Sequence, residues 1–167
     1  MGVYFLGNKI VETQIKEVKE FLGQTVSSLE VFLNTTTLES LEAEESGNGD
    51  YFKRVLSTIR KLTVFCEEGL EACQVIDKSQ PFSKAAAEKT LYRIYNHCIE
   101  EFFSPKSDVW YEDSRSAYTG KNSIKFRENV PLSIRKLVVS LEADFQRIRE
   151  ELEYYETDYR TKMLHSK

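Results

Sequence analysis

Hydrophobic residues recur along most of this chain at intervals of three and four, the period of amphipathic helices. Over residues 8–33 the stripe is Ile10, Ile15, Val18, Phe21 or Leu22, Val26, Leu29 and Phe32 or Leu33, with Glu, Lys and Gln between. Gly23 inside it costs about 1 kcal/mol against alanine, which predicts a close helix contact or a mild bend. Residues 34–37 interrupt the period, and Thr36 with Glu39 has capping-box spacing, so a short helix is expected over 38–45. A small polar loop follows, and Asp50 then caps a helix over 51–76. Its inward positions are Phe52, Val55 or Leu56, Ile59, Leu62, Phe65 or Cys66, Leu70, Cys73 and Ile76, with Gly69 again predicting close packing. Ser83 caps a helix to Phe103 that turns Ala87, Leu91, Ile94 or Tyr95, Cys98, Ile99 and Phe102 inward. Pro131 opens the last helix where proline is best tolerated. It extends to Met163, roughly 48 Å at 1.5 Å per residue. Ile134, Leu137, Leu141, Phe145, Ile148, Leu152, Tyr155 and Tyr159 form a seam close to a heptad, which also permits a homodimer.

Residues 104–130 break this pattern. Proline disfavours helical geometry at the residue before it, so Ser104-Pro105 ends the third long helix. Val109-Trp110-Tyr111 has strand character. Residues 116–118 and 123–126 flank Thr119-Gly120-Lys121-Asn122, a turn whose Gly and Asn accept positive φ cheaply, which predicts a β-hairpin. Tyr118, Ile124 and Phe126 then share an inward face, and Lys125 and Arg127 point outward. The expected fold is mainly α: a four-helix antiparallel bundle with a β-hairpin inserted between the third and fourth long helices. Residues 1–167 form one domain, with 104–130 as the insertion.

Composition narrows the class. The chain has 167 residues, 41% of them hydrophobic and 30% charged, enough for a core under a soluble surface. No apolar run approaches the roughly 20 residues that span a bilayer, so no membrane insertion is expected. The first residues lack a basic, then apolar, leader, and Leu6 stands where a myristoylation signal needs Ser or Thr. Cys66, Cys73 and Cys98 are odd in number, and the first two lie about two helical turns apart, too far to bridge. Buried free thiols and a reduced, cytoplasmic setting follow. Net charge is −4 but uneven. Residues 1–50 carry 3 basic and 9 acidic side chains; residues 115–136 carry Arg115, Lys121, Lys125, Arg127, Arg135 and Lys136 against Glu128. The whole chain is too acidic for a general nucleic-acid binder, but the local patch can hold an anion, a phosphate or an acidic partner.

Few residues carry catalytic chemistry. A di-iron bundle needs paired Glu-x-x-His motifs, and neither His97 nor His165 has Glu three residues before it. His97 and Glu101 stand one turn apart and can share a proton or zinc, although a histidine beside solvated acids has the same pattern. The acidic run over 149–160 reads as a solvated face with i,i+4 ion pairs, with Tyr154 off the stripe and open to a protein contact. Gly120-Lys121 lacks the upstream glycine of a phosphate-binding loop. The hairpin carries the richest set: Arg115, Tyr118, Lys121, Lys125 and Arg127 for charge and hydrogen bonds, with Trp110 and Tyr111 as aromatic anchors. The same aromatics also suit packing of the hairpin onto the bundle. No catalytic residue, metal site or cofactor is assigned.

KAAAEKTLYRIY at 84–95, EEFFSPKSDVWYEDSRSAYTGKNSIKF at 100–126 and REELEYYETDYRTKM at 149–163 resemble the YpuI-like proteins of Bacillus and related Firmicutes. FLNTTTLESL at 32–41 fits less specifically. The resemblance implies a bacterial cytoplasmic protein with no established activity, and it supplies no catalytic residues. The expectation is a non-enzymatic interaction or regulatory protein whose hairpin binds a protein partner or an anionic ligand. The alternatives are a nucleic-acid or phosphorylated small-ligand binder at the same patch and, more weakly, an enzyme using His97 and Glu101.

Overall fold

The computed structural model describes residues 6–113 and 122–165. These are mainly helical, with one two-stranded antiparallel sheet. Helix α1 (Asn8–Thr35) packs along α3 (Gly49–Lys78), with the short α2 (Leu38–Glu44) between them in sequence. Helix α4 (Lys84–Ile94) lies against both and continues through a π-helical turn (Tyr95–Ile99) into α5 (Glu100–Phe103). Strands β1 (Trp110–Glu112) and β2 (Ile124–Phe126) precede α6 (Leu132–Glu151), α7 (Glu153–Glu156) and α8 (Asp158–His165). Helix α6 rests on α1 and on the π-turn, and α7 on α4.

The hydrophobic period forms these helices because it gives each a continuous apolar face. Val11, Ile15, Val18, Leu22 and Leu29 of α1 meet Phe52, Val55, Ile59 and Cys66 of α3 in one core cluster. That cluster takes in Leu91, Ile99 and Phe102 and then Ile134, Phe145 and Ile148. Phe145 stacks on Phe102 with ring centroids 4.1 Å apart and meets the edge of Phe21 at 4.9 Å. Gly69 is needed for this packing: a Cβ there would stand 3.0 Å from Leu22 Cδ1 and 3.1 Å from Ile94 Cγ1. Gly23, by contrast, faces open space, and Val11 takes the inward place expected of Ile10, which is exposed. All three cysteines are free and buried, and burial pushes Cys73 up to about 12, which leaves it a packed thiol rather than a nucleophile.

Local signals shift by a residue or two. Thr37 with Ser40, not Thr36 with Glu39, closes the capping box of α2. Asn48 rather than Asp50 caps α3, accepting from the backbone N–H groups of Asp50 and Tyr51, while Ser83 caps α4 as expected. The expected last helix is broken at Leu152 and Thr157, where φ and ψ leave the helical region, yet Leu152, Tyr155 and Tyr159 remain buried on its seam. Tyr154 is half-buried, edge-on to Tyr155 at 5.1 Å, rather than open to solvent. Among the described residues no helix is long and apolar enough to cross a membrane.

The partner of β2 is β1, with Trp110 opposite Phe126, Tyr111 opposite Lys125 and Glu112 opposite Ile124. The Asp113 backbone N–H continues the ladder to the Ser123 carbonyl at 2.7 Å. The strand paired with 124–126 is thus Trp110–Glu112, which overlaps the Val109-Trp110-Tyr111 run read as strand-like. Segment 116–118, expected as its partner, lies outside the described residues.

Candidate functional site

The hairpin is held to the helices at its base. Asp108, at φ 57, turns the chain after α5 so that Val109 and Trp110 enter the core. The Trp110 indole N–H donates to the Phe102 carbonyl at 2.6 Å, and the ring meets the edge of Phe126 at 5.7 Å. Tyr51 of α3 donates its hydroxyl to the Val109 carbonyl at 2.5 Å and accepts from the Arg127 N–H at 3.1 Å. Burial is the main cause that raises its pKa. On the far side, Glu112 receives both arms of the Arg149 guanidinium at 2.9 and 2.7 Å, and that guanidinium lies 3.6 Å over the Phe103 ring.

These attachments leave one face of the sheet outward. Ile124 is buried, Lys125 and Phe126 are half-buried, and Arg127 is exposed. Arg127 stacks 4.1 Å over Tyr111, which is exposed, and pairs with Asp108 at 2.9 Å. Trp110, expected as a partner-facing anchor, is instead 1% exposed: its large apolar ring is worth more in the core, and its N–H is satisfied there. It positions the hairpin. Arg115, Tyr118 and Lys121 lie outside the described residues.

Between β2 and α6 a cleft of about 460 Å³ opens. Ile124, Phe126, Val138 and Val139 form its apolar walls, with Lys125 and Arg135 also lining it. Glu142 is its buried acid, 4% exposed. One carboxylate oxygen accepts from the Ser123 N–H at 3.1 Å and the Ser123 hydroxyl at 2.9 Å; the other is buried with no hydrogen-bond partner among the described residues. Sequence reasoning counted Arg135 only in the basic patch and missed Glu142. The available signal was spacing: Glu142 stands four residues after Val138 and three before Phe145, on the apolar side of its helix.

A second cleft, of about 410 Å³, lies beside the π-turn and brings His97, Glu100, Glu101 and Glu156 along one concavity. His97 and Glu101 were expected to adjoin, but Glu101 is buried rather than solvated. Among the described residues, no group of three or more His, Cys, Asp and Glu side chains is arranged to hold a metal ion.

Residues 15–161 match the family model described as "Protein of unknown function (DUF3907)". The chain belongs to the DUF3907 family. It is 48% identical over 151 residues to "Uncharacterized protein YpuI" of Bacillus subtilis (strain 168), covering 90% of this chain and 84% of that protein. The YpuI-like resemblance read from 84–95, 100–126 and 149–163 is therefore correct. No solved structure matches this DUF3907 chain.

Proposed function

We propose that this chain is a non-enzymatic interaction or regulatory module of the bacterial cytoplasm that binds a protein partner through the hairpin and the adjoining start of α6. The observation that carries this reading is the cleft between β2 and α6, with apolar walls, two basic side chains and a buried carboxylate with unused acceptor capacity. Apolar walls with a few placed polar groups suit a side chain or ligand. Arg127 stacked on exposed Tyr111 extends the same face. The domain in this proposal is a single four-helix antiparallel bundle formed by α1, α3, the α4–α5 run and α6, from which the hairpin projects. The contacts of α1 with α3, α4 and α6 support that arrangement.

Affinity capture from native bacterial lysate tests the proposal, with the wild type beside Lys125→Ala/Arg127→Ala, with and without nuclease, at two salt concentrations. A protein held only by the wild type and surviving nuclease is the expected result. Capture lost to nuclease and salt would move the assignment to nucleic acid. Identical catches from both baits would leave the hairpin a structural element.

A further inference from the structure

We propose that the cleft beside the π-turn binds a small organic cation with N–H donors, a primary ammonium or guanidinium head, held by the buried carboxylate of Glu101. This site is separate from the hairpin face.

The site lies beside the π-turn. The Glu100 N–H reaches back five residues to the Tyr95 carbonyl, so one extra residue is accommodated between α4 and α5. Glu101 stands three residues after buried Cys98 and seven after buried Ile94, on the inward face of this run, and is 5% exposed. Among the described residues its Oε1 accepts one long bond, 3.4 Å, from the Lys106 backbone N–H, and its buried Oε2 has no hydrogen-bond partner. Buried polar groups are ordinarily paired, so an unpaired carboxylate oxygen beside a cleft calls for a donor.

The cleft supplies the rest of a cation's environment. Three carboxylates line it, Glu100, Glu101 and Glu156, against two basic side chains, Lys106 and Arg160. Arg160 is already within 3.9 Å of Glu156, which leaves an excess of negative charge on the Glu100 and Glu101 side. Partial desolvation, followed by the charge of Glu156, raises the pKa of Glu100 against the opposing effect of Arg149 and Arg160. The acids are not grouped as metal ligands. A head group with several N–H donors does not need one tight coordination sphere; it can bond acceptors spread over the cleft wall.

The test is titration of the full chain with methylguanidinium and methylammonium, followed by amide NMR shifts. Tetramethylammonium is the donor-free control, and a capped Ala-Arg-Ala peptide stands for a partner's side chain. The expected result is saturable shifts confined to residues 96–106 and 156–160, absent with tetramethylammonium and weakened about tenfold or more in Glu101→Gln, as befits loss of a charge-assisted bond. Tighter binding of the peptide than of methylguanidinium would identify a partner's side chain as the source of the cation, and equal binding a free amine. Absence of saturation, equal binding of tetramethylammonium, or wild-type affinity in Glu101→Gln would overturn the proposal. The comparison of methylguanidinium with tetramethylammonium needs only the wild type, so it decides even if the variant unfolds. Neither result touches the hairpin reading, whose capture experiment uses other residues.

Discussion

The two clefts are built around the same unit, a buried glutamate on a helix that accepts from the backbone N–H of a nearby loop while its second oxygen has no partner among the described residues. They differ in how far the first oxygen is satisfied. Glu142 takes two ordinary bonds from Ser123 and closes the loop before β2 onto α6; Glu101 takes one long bond from Lys106. The surroundings differ too: apolar walls with Lys125 and Arg135 in one case, polar walls with an excess of acid in the other. One oxygen of each glutamate thus ties a loop to its helix, firmly at Glu142 and weakly at Glu101, and the other oxygen of each keeps acceptor capacity toward its cleft.

The largest expected effect comes from the residue that stands between the two. Trp110 bonds Phe102, just after Glu101, and packs on Phe126, which lines the Glu142 cleft. Trp110→Ala should lower unfolding free energy by about 3–5 kcal/mol, measured by urea denaturation, and should shift amide signals around both clefts. A loss confined to one cleft would show that they are not mechanically joined. Next, Glu142→Ala strands the Ser123 N–H and should cost about 1–3 kcal/mol. Glu101→Ala should cost visibly less in the same assay, because its bond is long. A reversed order would break the comparison. Arg149→Lys keeps the charge but loses the two-armed bond to Glu112 and the flat contact with Phe103, for a cost of about 1 kcal/mol. Thermal melts at low and high salt should show that cost largely unscreened, since both side chains are mostly covered.

The smallest effect is one of pH. Glu100 has a raised pKa in the folded chain, so the folded state holds its proton more tightly than the unfolded one. Its contribution is therefore most favourable below the ordinary carboxylate range, about 4.3, and is lost as pH rises through the raised value. Glu100→Gln should accordingly raise the melting temperature slightly at neutral pH, with no gain at low pH. A gain at both would mean the effect is not electrostatic.

The long helices were legible because periodicity is redundant: Val18, Leu22 and Leu29 state the same face several times. Features set by one residue were not. The π-turn has no marker in YNHCI, and Glu101, three residues after buried Cys98, was read as solvated because its charge was weighed above its place on the inward face. The pairing of β2 depends on where Trp110 finds its acceptor, a tertiary fact that no hairpin-turn signal contains. Glu142 escaped notice because a carboxylate on an apolar stripe looks like an interruption until Ser123 is seen bonded to it. Strand alternation in the sequence put Lys125 and Arg127 on one side, but that Tyr111 shares it depends on the β1–β2 pairing.

Tyr51 takes part in a sheet to which it does not belong. Its hydroxyl gives a proton to Val109 and takes one from Arg127, two residues that also bond each other across the strands at 3.2 Å. The first turn of α3 therefore lies across the open end of the hairpin like a latch. The strands cannot unzip from that end while α3 stays folded. In hydrogen exchange, the Arg127 amide should open together with the N-terminal turns of α3 as one cooperative unit, slower than a two-stranded ribbon could manage alone. A ligand that stiffens the hairpin face would be felt, through this single phenol, in a helix it never touches.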